Sequence, residues 1–415
     1  MAASSEDDAA KRRRTAVGPG HLLPELLANI NDRLSFLDRI ALAAVFGASC
    51  DDDEDVLKPC TPWLILPSEE NNNPATATLF SVTDRRAATV RAPDPALRGH
   101  SVLGSSRGWL ATFDVMGQIY VVNPATGEQH ALPDITTMGS FLSRGNRTFT
   151  SDEMRGWFYR KVVLLSTPRR RGSSGAMLIL DLRFGAPAFA TSEDVAWRLA
   201  PSRDGVEDDI HHDGRFYSVT YTGVVQTWER DAESGAYTSA AVAPALTIPV
   251  EEEGSSRKYV AVTPGGRLMV AVKYVQVTKE ERRWRWVDRW TCSFKVHVLG
   301  DGGQWKETRD LGDVTLFVGL NNSLCVPTRG CPEIEAGCIY FTGDELRDQA
   351  ALLKRNESGP SPYNNLYGYK SHDADVRAVG VYSLKDGTVK KVEVLGQEQY
   401  RILSIPPVWI TPSIP

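Results

Sequence analysis

Of the 415 residues, only six are cysteine. They stand at 50, 60, 292, 325, 331 and 338, without a single Cys-x-x-Cys pair. That spacing is too loose for a structural zinc site, and it favours free buried thiols in a reducing compartment over a disulfide framework. Long apolar runs are missing as well: none approaches the ~18 residues that cross a bilayer. The first twenty residues hold Ala, Ser, Asp, Glu and Arg but no apolar stretch. They read as a polar, disordered tail rather than a secretory signal. Neither sign of charge dominates, with 47 basic and 52 acidic residues and a net charge of -5. Such a balance offers no field for nucleic acid or for an anionic membrane. No Ser, Cys or His lies in a recognisable nucleophile motif, so no catalytic residue, metal or cofactor is expected. The expected compartment is the cytoplasm, the nucleus or both. Lys11-Arg12-Arg13-Arg14 in the tail reads equally as a nuclear-import signal or as solvated charge.

What the chain does contain begins with an amphipathic segment. Leu23, Leu27, Ile30, Leu34 and Leu37 step by four, three, four and three, the one-face period of a helix. Pro24 suits a first helical turn, where its missing N–H costs nothing. Ser35-Phe36-Leu37-Asp38 resembles a capping box opening a second helix that stops near Gly47. Residues 21–50 thus form a small helical module, and 51–61, with the acidic run Asp51–Asp55, a linker. The apolar face must be buried on its own domain or on a partner.

From residue 62 to 415 the period changes to that of short strands. Val102–Ser105, Gly108–Phe113, Gln118–Val122 and Glu128–Leu132 are separated by Ser-Arg-Gly, Asp-Val-Met-Gly and Asn-Pro-Ala-Thr-Gly, all turn chemistry. Four short strands joined by tight turns make a propeller blade. Looser copies follow from Lys161, Asp209, Tyr259 and Ser323. Matching glycines at 108, 214, 266 and 337 suggest a repeat of roughly 50 residues. The expected fold is mainly β, a propeller of roughly six or seven blades preceded by the helical module. Ile405–Ile410 reads as a closing strand. Two insertions are expected, at 278–289 and 343–375, projecting at one rim of the ring.

At this point two stretches look familiar. Leu23-Pro24-Glu25-Leu26-Leu27, Ile30, Arg33-Leu34 and Asp38 resemble the F-box, the helical module that binds the Skp-type adaptor of cullin–RING ubiquitin ligases. Gly104-Ser105-Ser106-Arg107-Gly108-Trp109-Leu110, Asn123-Pro124-Ala125-Thr126-Gly127, Leu316-Phe317-Val318-Gly319 and Gly337-Cys338-Ile339-Tyr340-Phe341 resemble the β-propeller domain of plant F-box proteins. The resemblance implies a non-enzymatic substrate receptor. Leu23, Pro24, Leu27, Ile30 and Leu34 would meet the adaptor and through it a cullin, while the propeller would hold an unidentified target protein. One position departs from the pattern: Ser49 stands where the F-box has a tryptophan. A propeller interaction protein that has left the ligase is therefore the alternative.

Two further clusters bear on partners. Arg283, Trp284, Arg285 and Trp286 alternate cationic and aromatic side chains, suited to contact with a partner or to guarding a hairpin edge. In Asp209-Ile210-His211-His212-Asp213 the two histidines, placed on a strand, point to opposite faces and do not converge on one ion.

Overall fold

The computed structural model describes residues 61–66, 76–82, 85–91, 100–114, 116–124, 127–138, 159–165, 175–180, 186–202, 204–248, 256–282, 285–329, 331, 333–343, 379–392 and 407–411, with Leu26, Asn29, Ile30, Arg33 and Leu34. The chain divides into two units, 1–58 with 414–415 and 59–413. In the first, Leu26, Asn29, Ile30 and Arg33 have helical backbone. The second unit holds six sheets.

The first blade pairs β1 (Trp63–Leu66), β2 (Thr76–Ser81) and β3 (Arg86–Arg91) with the last strand, β25 (Val408–Ile410). The second contains β4 (Ser101–Ser106), β5 (Trp109–Phe113), β6 (Ile119–Val122) and β7 (Gln129–Ala131). The third is β8 (Tyr159–Leu164), β9 (Gly175–Leu180), β10 (Ala188–Thr191) and β11 (Arg198–Leu199). In the fourth are β12 (Asp208–His212), β13 (Arg215–Val219), β14 (Val225–Arg230) and β15 (Tyr237–Ala241). The fifth has β16 (Ser256–Val262), β17 (Leu268–Arg282), β18 (Arg285–Leu299) and β19 (Trp305–Thr308). The sixth has five strands: β20 (Val314–Val318), β21 (Leu324–Pro327), β22 (Cys338–Phe341), β23 (Val379–Ser383) and β24 (Thr388–Val392). Six blades, not seven, make the ring.

Strand alternation explains how the blades stack. Successive side chains of one strand leave on opposite faces. In β9, Ala176 and Leu178 pack with Trp109, Phe113 and Val121 of the second blade. Met177 and Ile179, one residue on, pack with Phe216 and Trp228 of the fourth. Each blade is thus apolar on both faces, and the core is a series of layers between neighbours. The repeat glycines sit where the turns need them. Arg107-Gly108 (φ 52 and 82) and Asp213-Gly214 (φ 46 and 76) both place two consecutive residues at positive φ, the requirement of a type I′ hairpin turn.

The closing strand is the one read from the sequence. Trp63, Leu64 and Ile65 pair with Ile410, Trp409 and Val408. Trp409 is fully buried and meets Phe317 of the sixth blade edge-on, with centroids 5.0 Å apart. Removing such a side chain costs about 3–5 kcal/mol, so the closure is held by packing as well as by the ladder. The sixth blade departs from expectation. Its strand β20, missed as a strand in the sequence, pairs in parallel with β22 and antiparallel with β21. The segment 278–289 also differs: rather than interrupting the strands it continues them, with Thr278↔Arg289 through Arg282↔Arg285 in register.

Candidate functional site

Two regions of the ring concentrate charge. The first is the axis. Lys161, near the start of β8, and Asp208, at the start of β12, are both fully buried and form an ion pair of 2.5 Å. The other oxygen of the Asp208 carboxylate accepts from the Val260 N–H at 2.9 Å and from the Ser323 hydroxyl at 3.3 Å. One carboxylate therefore joins the third, fourth, fifth and sixth blades. A second buried pair lies alongside, Lys258 Nζ to Glu207 at 2.9 Å, with the Lys258 N–H also donating to that carboxylate. The remaining blades are tied in similarly. The Ser105 hydroxyl donates to the Trp409 carbonyl, and the Asn322 N–H donates to the Ser105 carbonyl at 2.7 Å. Gly104 is essential to this close approach, since a Cβ there would lie 2.6 Å from the Val162 carbonyl oxygen and 2.9 Å from that of Leu320.

Burial pushes the Asp208 and Glu207 carboxyls up, and the lysine beside each opposes the rise. Asp209 is pushed well above the usual carboxylate range, by burial first and with Asp208 adding to it. At the turn end of β12, His211 Nδ1 lies 3.2 Å from the Arg107 guanidinium, which fixes Nδ1 as the acceptor. Burial, then Arg107, lowers the His211 pKa to about 4. His212 instead meets Asp213 at 3.2 Å. The two histidines are thus engaged separately, and no cluster suited to a metal ion occurs among the described residues. Two thiols complete the picture: burial raises the half-buried Cys325 to about 12 and the buried Cys338 to about 11.

The second region is the arm of the fifth blade. Ser256, the first residue of β16, pairs with Tyr274, and Tyr274 with Ser293. Residues 275–292 therefore run past the end of the inner strand as a two-stranded ribbon. At its foot a cleft of about 230 Å³ opens between the fifth and sixth blades. It is lined by Ser293, Phe294, Lys295, Glu307 to Arg309, Tyr382 and the β23–β24 turn. The connection between β22 and β23 leaves from the other end of the ring. The Thr342 N–H donates to Val318 at the finish of β20, next to Asn322 and the finish of β4. The two connections expected at one rim thus depart from opposite ends.

The sequence-derived site residues are distributed unevenly. Leu23, Pro24 and Leu27 lie outside the described residues, as do Arg283, Trp284 and Ser49. Ile30 is helical and 38% exposed, and Leu34 is half-buried. Arg285 and Trp286 begin β18 and pair with Arg282 and Glu281. The axial ion pairs escaped sequence reading. Their signal was a charged residue in or near the first strand of consecutive repeats, as at Lys161, Asp208 and Lys258.

Ring, velcro closure and stitched axis define a six-bladed β-propeller, with an axis whose charged groups are largely paired with one another. The chain belongs to the KIB1-4 beta-propeller family, whose pattern matches residues 79–383. It is similar to three Arabidopsis thaliana proteins named as F-box proteins. One is 23% identical over 81% of this chain and 87% of its own length. The others are 21% identical, covering 78% and 71% of this chain and 83% and 76% of their own. Among the described residues no helix is long and apolar enough to cross a membrane.

Proposed function

We propose that this protein is the substrate-recognition subunit of a Skp–cullin–F-box ubiquitin ligase, working in the cytoplasm, the nucleus or both. Leu23, Pro24, Leu27, Ile30 and Leu34 hold the adaptor, and the propeller holds a target protein. The observation that carries the reading is the pairing of a propeller of this family with relatives that bear F-box names. The exposure of Ile30 on a helical backbone is consistent with it. Chemistry belongs to other subunits; this one acts by proximity, raising the effective concentration of a target lysine near the charged conjugating enzyme.

Ser49 in place of the usual tryptophan favours a second reading, a propeller interaction protein outside the ligase. Co-purification with a Skp-type adaptor separates the two. The wild-type chain is expected to retain adaptor, and Leu27→Asp with Ile30→Asp to lose it. No capture by the wild type supports the second reading. Capture that survives the double change refutes the assigned face.

A further inference from the structure

Each blade ends in an outer strand, and among the described residues no further strand pairs with its far edge. Folded proteins guard such edges by keeping them short or by charging them. β7 has three residues and β11 two. β3 begins on the exposed Arg86, β19 carries Lys306 and Glu307, and β24 carries Lys390 and Lys391. Among the six outer strands only β15 lacks both devices. Its residues Thr238, Ser239, Ala240 and Ala241 are exposed, and Val242 after them is 38% exposed. No charged residue stands between Glu233 and Glu251.

The ladder fixes which backbone groups of β15 face outward. The Asp231 N–H donates to the Ala236 carbonyl at 2.8 Å, and the Val242 N–H to the Val225 carbonyl at 3.0 Å. Antiparallel bonds alternate along a strand, so Ala236, Thr238, Ala240 and Val242 turn their peptide groups towards β14. Tyr237, Ser239 and Ala241 turn theirs away. A copy of the same strand, laid antiparallel with a two-fold axis through Ser239, meets all three. Tyr237 then stands opposite the second copy's Ala241, Thr238 opposite its Ala240, and Ser239 opposite its Ser239. Larger side chains face small ones, and no like charges meet. The Tyr237 ring stays clear of the edge, stacked on Phe189 with centroids 3.9 Å apart. Glu233 falls past the end of the pairing, towards the second copy's Ala245. An unrelated strand would use only the backbone row; the matching of large to small is what favours the same strand from a second copy.

We propose that β15 pairs edge to edge with β15 of a second copy of this chain, joining two fourth blades into one continuous sheet across a two-fold axis. So short a contact buries less than the ~1,200 Å² of stable complexes, so the dimer forms on the order of tens of micromolar. The inference does not depend on the receptor reading. Sedimentation velocity of the purified full chain, between about 1 and about 200 micromolar, tests it. The wild type is expected to pass from monomer to dimer within that range. Ser239→Lys sets two ammonium groups against each other at the axis and is expected to weaken association at least about tenfold, as is Ser239→Glu with two carboxylates. An equimolar mixture of the two variants is expected to restore the dimer, which misfolded chains would not do. A wild type that stays monomeric overturns the proposal and leaves the edge to another protein or to another segment of this chain. So does a dimer that Ser239→Lys leaves intact, or a mixture that associates no better than its parts.

Discussion

Asp208 and Arg285 are both charged residues that open a strand, one on the axis of the ring and one on the ribbon of the fifth blade. Asp208 is fully buried and touches a lysine, a backbone N–H and a hydroxyl from three other blades. Arg285 has another arginine as its ladder partner. On the axis, the Asp208 and Glu207 carboxylates are paired with Lys161 and Lys258, because an unpaired buried ion would cost several kcal/mol. On the arm, the two strands from Val275 to Cys292 pair only with each other among the described residues. Paired charge at the centre gives the ring its fixed geometry.

The contrast can be broken most forcefully at Lys161. Lys161→Met strands Asp208 without its cation and is expected to cost about 3–5 kcal/mol, read as a lowered urea midpoint. A loss below about 1 kcal/mol would mean that the axis contributes little beyond its packing.

His211 provides a smaller effect with a defined direction. Its folded-state pKa of about 4 lies below the ordinary 6.5, so the unfolded chain takes up the proton first. The stability it confers is complete above about pH 6.5 and is lost as pH falls towards 4. For this half-buried ring the loss should be about 1–2 kcal/mol after allowing for solvent screening. Urea midpoints of the wild type and His211→Asn at pH 7 and pH 4.5 test it, and the variant should show the shallower pH dependence.

The smallest change is expected at the arm. Replacing residues 277–290 by a two-residue Asn-Gly turn should alter unfolding free energy by less than about 1 kcal/mol, since a ribbon whose two strands pair only with each other is marginal in water. Amide exchange should agree, with fast exchange along 277–290 and slow exchange at Val260, whose N–H is held by Asp208. Slow exchange in the arm would show it to be part of the ring's cooperative unit.

Much of the ring was legible because propeller strands carry local punctuation. The second blade could be read strand by strand, since Arg107-Gly108 and Asn123–Gly127 mark its turns and apolar residues fill the strands between. The closing strand could be read from an isolated apolar run near the end of the chain. The sixth blade could not, because the parallel pairing of Leu316 with Ile339 joins segments 23 residues apart and leaves no local trace. The arm was obscured for another reason: residues 278–289 are rich in charge, which hides the apolar–polar alternation that marks the other strands. The axial pairs were hidden by distance, since Lys161 and Asp208 stand 47 residues apart. Histidine 211 and 212, conspicuous in the sequence, serve local contacts with Arg107 and Asp213.

The pairing of β25 with β1 also sets a timetable. A ribosome must add roughly 340 residues after β1 before β25 exists, which at ~5–20 residues per second takes on the order of tens of seconds. Throughout that interval the inner edge of β1 lacks its native neighbour. The nascent chain therefore passes through a stage in which Leu64 and Phe80 await Trp409, their partner in the finished layer. Synthesis interrupted anywhere before residue 408 yields an open arc instead of a ring.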